Sequence, residues 1–132
     1  MRNNFKDWQP PKFDEKGMTR WNWMCQYRDG LKLGKFIDVG AFTYINANFG
    51  VVIEDNVEIG SHCSIYSHST IDGKQGKVII KKGAKIGTHS TIMPGVTVGE
   101  NAVIGAYSFV KKNIPANSLA YGVPAKVIKG NK

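Results

Sequence analysis

No stretch of this 132-residue sequence approaches the roughly 18 consecutive apolar residues needed to cross a bilayer, so no membrane span is predicted. The opening residues, Met1 to Asp7, are polar and lack the apolar core of a secretion signal, which makes the cytoplasm the expected location. Cysteine is scarce. Cys25 and Cys63 are too few for a disulfide framework or a cysteine-based metal cluster, and both are read as free thiols. Acidic residues are also short: 10 Asp and Glu against 18 Lys and Arg leave a net charge of +8, a balance that favours anionic partners. The lysines gather late, at Lys81, Lys82, Lys85, Lys111, Lys112, Lys126, Lys129 and Lys132. They lack the interleaved aromatics of a single-strand nucleic-acid platform, so no nucleic acid is expected as a partner. Phosphates on a small ligand fit better, with many of these lysines left as solvated surface.

What the sequence does contain is a repeat. At this length it suits a single domain, residues 1–132, with 42% apolar residues to fill one continuous core. Aliphatic residues recur every six positions at Leu33, Val39 and Ile45, then at Ile53, Ile59, Ile65 and Ile71, and again at Ile80, Ile86, Ile92, Val98, Ile104 and Val110. Two insertions shift the phase, one around Val51 and Val52 and one over residues 73–79, which includes the turn-forming run Gly73-Lys74-Gln75-Gly76. Neither the helical period nor strand alternation gives a spacing of six. A triangular coil does, with each hexad supplying one short strand and one corner and three hexads closing a turn of about 18 residues. The leading aliphatic then points inward. Four residues on, small side chains recur at Thr43, Val57, Cys63, Ser69, Ala84, Ser90, Val96, Ala102 and Ser108, with Ile37, Phe49 and Ile114 as larger exceptions.

Periodicity leaves the hand of the coil open. The run from Ile86 to Gly99, with the Met93-Pro94-Gly95-Val96 corner, and the run from Ala102 to Val110 resemble the signature of hexapeptide-repeat acyltransferases. The stretches Lys111-Lys112-Asn113-Ile114-Pro115 and Tyr121-Gly122-Val123-Pro124-Ala125 resemble that family's closing motifs. The resemblance covers about residues 33–129 and is nearest to galactoside, maltose and nucleotide-sugar acetyltransferases. It implies an all-β, left-handed parallel β-helix over residues 33–115, an N-terminal segment at 1–32 and a closing segment at 116–132. It further implies a homotrimer, with clefts between subunits where acetyl-CoA meets a sugar or nucleotide-sugar acceptor. The N-terminal segment holds Trp8, Trp21 and Trp23, read as a plug on the open coil end or, in the alternative, as an acceptor-stacking surface.

Acetyl transfer from a thioester to a hydroxyl or amine needs a base for the acceptor's proton, and histidine suits that task near neutral pH. The candidates are His62, His68 and His89. Counting hexads puts His68 and His89 on one face, one coil apart, with His62 on the next. His68 stands just before the second insertion, near where the resemblance implies an essential histidine, and is nominated as catalytic. The galactoside and maltose enzymes carry theirs within a longer loop, whereas the loop here has none. His62, nominated for the acceptor pocket, and an acceptor that assists its own deprotonation therefore stay open as alternatives. Asn48, in Asn46-Ala47-Asn48-Phe49, resembles an acceptor-binding asparagine, although a left-handed corner explains Asn46 or Asn48 as well. Glu54, Asp55 and Glu58 are available to orient a histidine or hold an amine. The resemblance implies, by position, that Thr88, Gly105, Ala106, Lys111, Lys112, Pro115 and Lys126 contact coenzyme A, with Lys112 and Lys126 on its phosphates. No metal is expected. The competing readings are a zinc enzyme of the γ-carbonic-anhydrase kind and a non-catalytic hexapeptide-repeat scaffold.

Overall fold

The structure, a computed structural model, describes residues 7–130. The aliphatic hexads build three flat faces of a prism. The first face stacks β1 (Met24–Gln26), β4 (Tyr44–Asn46), β7 (Ser64–Tyr66), β12 (Thr91–Ile92) and β15 (Phe109–Val110) in parallel. The second stacks β2 (Leu31–Leu33), β5 (Val51–Ile53), β10 (Val78–Ile80) and β13 (Thr97–Val98). The third carries β3 (Asp38–Val39), β6 (Glu58–Ile59), β11 (Lys85–Ile86), β14 (Val103–Ile104) and β16 (Leu119–Gly122), and ends in the antiparallel β17 (Ala125–Lys129). A small antiparallel hairpin, β8 (His68–Ser69) with β9 (Lys74–Gln75), stands off the prism.

Register explains the period of six. Cys25, Ile45, Ile65, Ile92 and Val110 pair one above another, as do Leu33, Ile53, Ile80 and Val98, and on the third face Val39, Ile59, Ile86, Ile104 and Ala120. Rungs about 4.8 Å apart bring these side chains into contact along the prism axis and exclude water from a single column of core. The ladders begin upstream of Leu33, because Cys25 and Leu31 already occupy rungs. Ile71 is the exception. It fits the spacing but is 98% exposed at the tip of the hairpin, since the insertion removes the chain from the prism before the next corner closes.

The small residues at the corners are required by hydrogen bonding as well as by space. Thr43 Oγ1 donates to Gly60 O at 2.8 Å, Cys63 Sγ to Gly87 O at 3.2 Å and Ser90 Oγ to Gly105 O at 3.1 Å, so each satisfies a carbonyl of the coil above. Thr43 Oγ1 also accepts the Cys63 N–H, and Ser90 Oγ the Ser108 N–H. The glycine of the same corner allows this close stacking: a Cβ on Gly87 would lie 2.6 Å from the Ala106 backbone nitrogen.

Both cysteines belong to this interior. Burial pushes the Cys25 thiol up to about 12, with Arg28 opposing, and burial also raises Cys63. Neither is then a thiolate near neutral pH, and the thiolate is the reactive form. Disulfide-exchange reagents are expected to label neither cysteine in the native protein at pH 7.5 and both after denaturation. Rapid labelling of the folded chain would contradict this burial.

At the N-terminal end Trp23 is buried, 3% exposed, with Phe13 edge-on at 5.4 Å. Trp8 packs against the core and donates its ring N–H to Ile37 O at 2.8 Å. Trp21 is exposed beneath the Arg20 guanidinium, 4.7 Å from its ring centre. The three tryptophans line an open cleft of about 520 Å³ with Pro10, Pro11 and Arg20.

Candidate functional site

Each passage from the first face to the second turns at one edge, called here the hairpin edge. A regular step, as from Ile92 to Val98, fits one tight corner; the step from Ile45 to Ile53 is longer and leaves room for Asn48 to Gly50 to bulge outward. In the next coil the bulge grows into the β8–β9 hairpin. Sequence-distant residues therefore meet: Asn48 Nδ2 lies 3.3 Å from His68 Nδ1, and the Phe49 ring stands edge-on to the imidazole at 5.0 Å. His68 is half-buried and Asn48 exposed.

The pair rests on a satisfied polar base. Buried Asn46 accepts the Asn48 N–H on Oδ1 and directs Nδ2 to Tyr44 Oη at 3.3 Å, and Tyr44 donates its proton to Gln26 Oε1. Burial raises the Tyr44 phenol above its ordinary value, so it remains a donor across the neutral range. Ser67, wholly buried, donates its N–H and its hydroxyl to Asn46 O and accepts the Phe49 N–H at 2.9 Å. At the hairpin tip, hydrogen bonds from the Ser69 side chain and then the Lys74 backbone hold the exposed Asp72 carboxyl below its usual range.

The histidines do not group as hexad counting expects. His62 and His89 share the edge between the third and first faces, with rings 4.7 Å apart and inclined by 2°. His68 lies on the hairpin edge. Hexad counting gives Ile71 a rung it does not occupy, which displaces every later hexad by one face. His62 therefore lies on a different edge from the Asn48–His68 pair. The carboxylates also serve elsewhere. Asp55 Oδ1 accepts the Lys35 N–H at 2.8 Å and Glu54 Oε1 the Lys82 N–H at 3.0 Å, tying coils together at the remaining edge, while Glu58 lies on the third face between Asp38 and Lys85. The left-handed asparagines are Asn22, Asn56, Asn101 and Asn117; at the Asn48 bulge that conformation falls to Gly50, φ 100°.

The residues expected to contact coenzyme A occupy three places. Thr88, Gly105 and Ala106 lie on the edge of His62 and His89; Lys111 and Lys112 follow β15 on the hairpin edge, leading to Pro115; and exposed Lys126 lies in β17 opposite Tyr121. A column of rings, absent from the sequence reading, also lines the edge of His62 and His89. His62, His89 and Tyr107 stack one per coil with Phe42 tilted by 43° against His62, and the sequence carries the signal as an aromatic two residues after Gly40, Gly60, Gly87 and Gly105. Among the described residues no group of three His, Cys, Asp or Glu is placed to hold a metal ion.

Residues 77–112 match the bacterial transferase hexapeptide (six repeats) model. The chain belongs to the hexapeptide-repeat family. The galactoside O-acetyltransferase of Escherichia coli K12 is 37% identical to this hexapeptide-repeat protein over 111 residues, covering 73% of this chain and 55% of that one. A dTDP-3-amino-3,6-dideoxy-α-D-galactopyranose 3-N-acetyltransferase of Aneurinibacillus thermoaerophilus is 50% identical over 52 residues, 39% of this chain and 27% of its own. A solved galactoside acetyltransferase in complex with coenzyme A superposes with a TM-score of 0.74 at 31% identity, over 83% of this chain and 59% of that chain. Mirror-image coils do not superpose, so the fold is the expected left-handed parallel β-helix. The protein spans about half the length of the curated full-length relatives it matches.

Proposed function

We propose that this protein transfers the acetyl group of acetyl-CoA to a hydroxyl or amine of a sugar or nucleotide-linked sugar. His68 acts as general base in a cleft between subunits of a homotrimer. The observation that carries the reading is the Asn48–His68 pair, an imidazole braced on one nitrogen beside the insertion. An asparagine amide meets a ring nitrogen with either its N–H or its carbonyl. With the Asn48 amide turned end for end from the placement that sets Nδ2 beside Nδ1, its carbonyl accepts the Nδ1 proton, and Nε2 is bare and free to take a proton from the acceptor. The acceptor's lone pair then attacks the thioester carbonyl, the C–S bond breaks, and the imidazolium returns the proton to the departing thiolate.

Support for a shared cleft comes from the division of edges. The base stands on the hairpin edge, while Thr88, Gly105 and Ala106 stand on the ring-stack edge, and two edges of one prism cannot line one cleft. Juxtaposition needs the hairpin edge of one subunit against the ring-stack edge of the next, a heterologous contact that closes as a ring. Lys111, Lys112 and Lys126 supply positive charge for the phosphates of the donor. The names of relatives support a sugar acceptor, with both O- and N-acetylation represented.

The test is thiol release from acetyl-CoA against neutral sugars, amino sugars, nucleotide-linked amino sugars and L-serine, the last as a hydroxyl acceptor that is not a sugar. Turnover with a sugar class is the expected result. Neither turnover nor coenzyme A binding would leave the scaffold reading in its place.

A further inference from the structure

The ring-stack edge carries more than a surface. Thr88 Oγ1 has one proton to give and two lone pairs. It donates to Ser61 O at 2.8 Å, so its contacts with Ser61 Oγ at 3.2 Å and His89 Nδ1 at 2.9 Å must be accepted. His89 is then the Nδ1–H tautomer, and its Nε2 is bare. Stacking between His62 at 4.7 Å and Tyr107 at 4.8 Å, inclined by 2° and 7°, holds the plane of the ring, and the Thr88 hydrogen bond at 2.9 Å sets which edge of it carries Nδ1. His62, His89 and Tyr107 are all exposed.

We propose that His89 is a ligand-binding residue whose Nε2 accepts a hydrogen bond from an N–H or O–H donor, with Thr88 and Ser61 as the positioning residues that fix its tautomer. It rests on the acetyltransferase reading, because Thr88 and Ala106, the coenzyme A candidates, flank His89 and Tyr107 in sequence. Two ligands carry such a donor there: the amide groups of coenzyme A and the hydroxyl or amine of the acceptor. An imidazole without an outward N–H cannot donate to the developing oxyanion, which confines His89 to accepting.

The decisive variant is His89→Phe, which keeps the stack and removes the acceptor; Phe42 shows that phenylalanine is accommodated in this column, at φ 67°. Calorimetry with coenzyme A and KM for the acceptor separate the two sources. A weakening of about tenfold is expected for one of them, the size of one lost hydrogen bond. Nitrogen NMR of the wild type should show Nδ1 protonated and Nε2 bare, Thr88→Val should abolish that preference, and Thr88→Ser should restore it. Affinities within about twofold of wild type for both ligands, or an Nε2–H signature, would overturn the role. If the wild type binds coenzyme A normally, such a result removes His89 alone; a wild type that binds none removes the acetyltransferase reading and this role with it.

Discussion

Replacing His68 by alanine is expected to lower kcat/KM by about 10²–10⁴-fold, the range that general base catalysis contributes. The loss belongs in kcat rather than in affinity for coenzyme A, because the donor candidates Thr88, Gly105 and Ala106 lie on another edge, and Lys111 and Lys112, though on the hairpin edge, follow β15, two rungs beyond β7. Structure should survive, since His68 is half-buried in a hairpin outside the core and Ser67, not His68, makes the buried bonds that hold the corner. Steady-state kinetics with thermal unfolding of the same preparation reads both quantities. Activity within about twofold of wild type in a folded His68→Ala protein would remove His68 as base and turn attention to the ring-stack edge.

Ile65→Ala is expected to cost about 2–5 kcal/mol. The side chain is fully buried between Ile45 and Ile92 in the middle of a ladder, so its removal leaves a cavity that neighbours on both coils cannot fill. That is a large share of the roughly 5–15 kcal/mol by which domains are stable, and Tm should fall by roughly 10 °C at fixed protein concentration. Ile71→Ala is the matched control. It occupies the next hexad position, yet at 98% exposed it should shift stability by less than about 0.5 kcal/mol. Similar losses for both would mean that the insertion lies inside the prism.

This contrast shows how far the sequence could be read. The hexad aliphatics state the fold because each must fill the same slot one coil above the last, and the small residues four places on state the corners for the same reason. Ile71 misled because spacing records neighbours along the chain, whereas leaving a rung depends on where the hairpin hydrogen bonds, His68 with Gln75 and Ser69 with Lys74, draw the strand away. One misplaced rung was enough to put His89 beside His68. Asn48 and His68 were legible as residues of interest but not as a pair, since their meeting depends on two successive bulges at one edge. Of the base beneath them, Gln26, Tyr44, Asn46 and Ser67, only Asn46 carries a mark in the sequence, and nothing there joins the four. Their polar side chains match many surface positions until the register stacks them.

The shared cleft is tested most directly by mixing two inactive proteins. His68→Ala lacks the base on one edge, and Ala106→Trp obstructs the other, where a small residue borders the expected donor groove. Unfolded and refolded together in equal amounts, they should regain about one quarter of wild-type activity, because one cleft in four then joins an intact hairpin edge to an intact ring-stack edge. Activity that stays at the level of the separate variants, in a mixture shown to have exchanged subunits, would place the whole site within one chain.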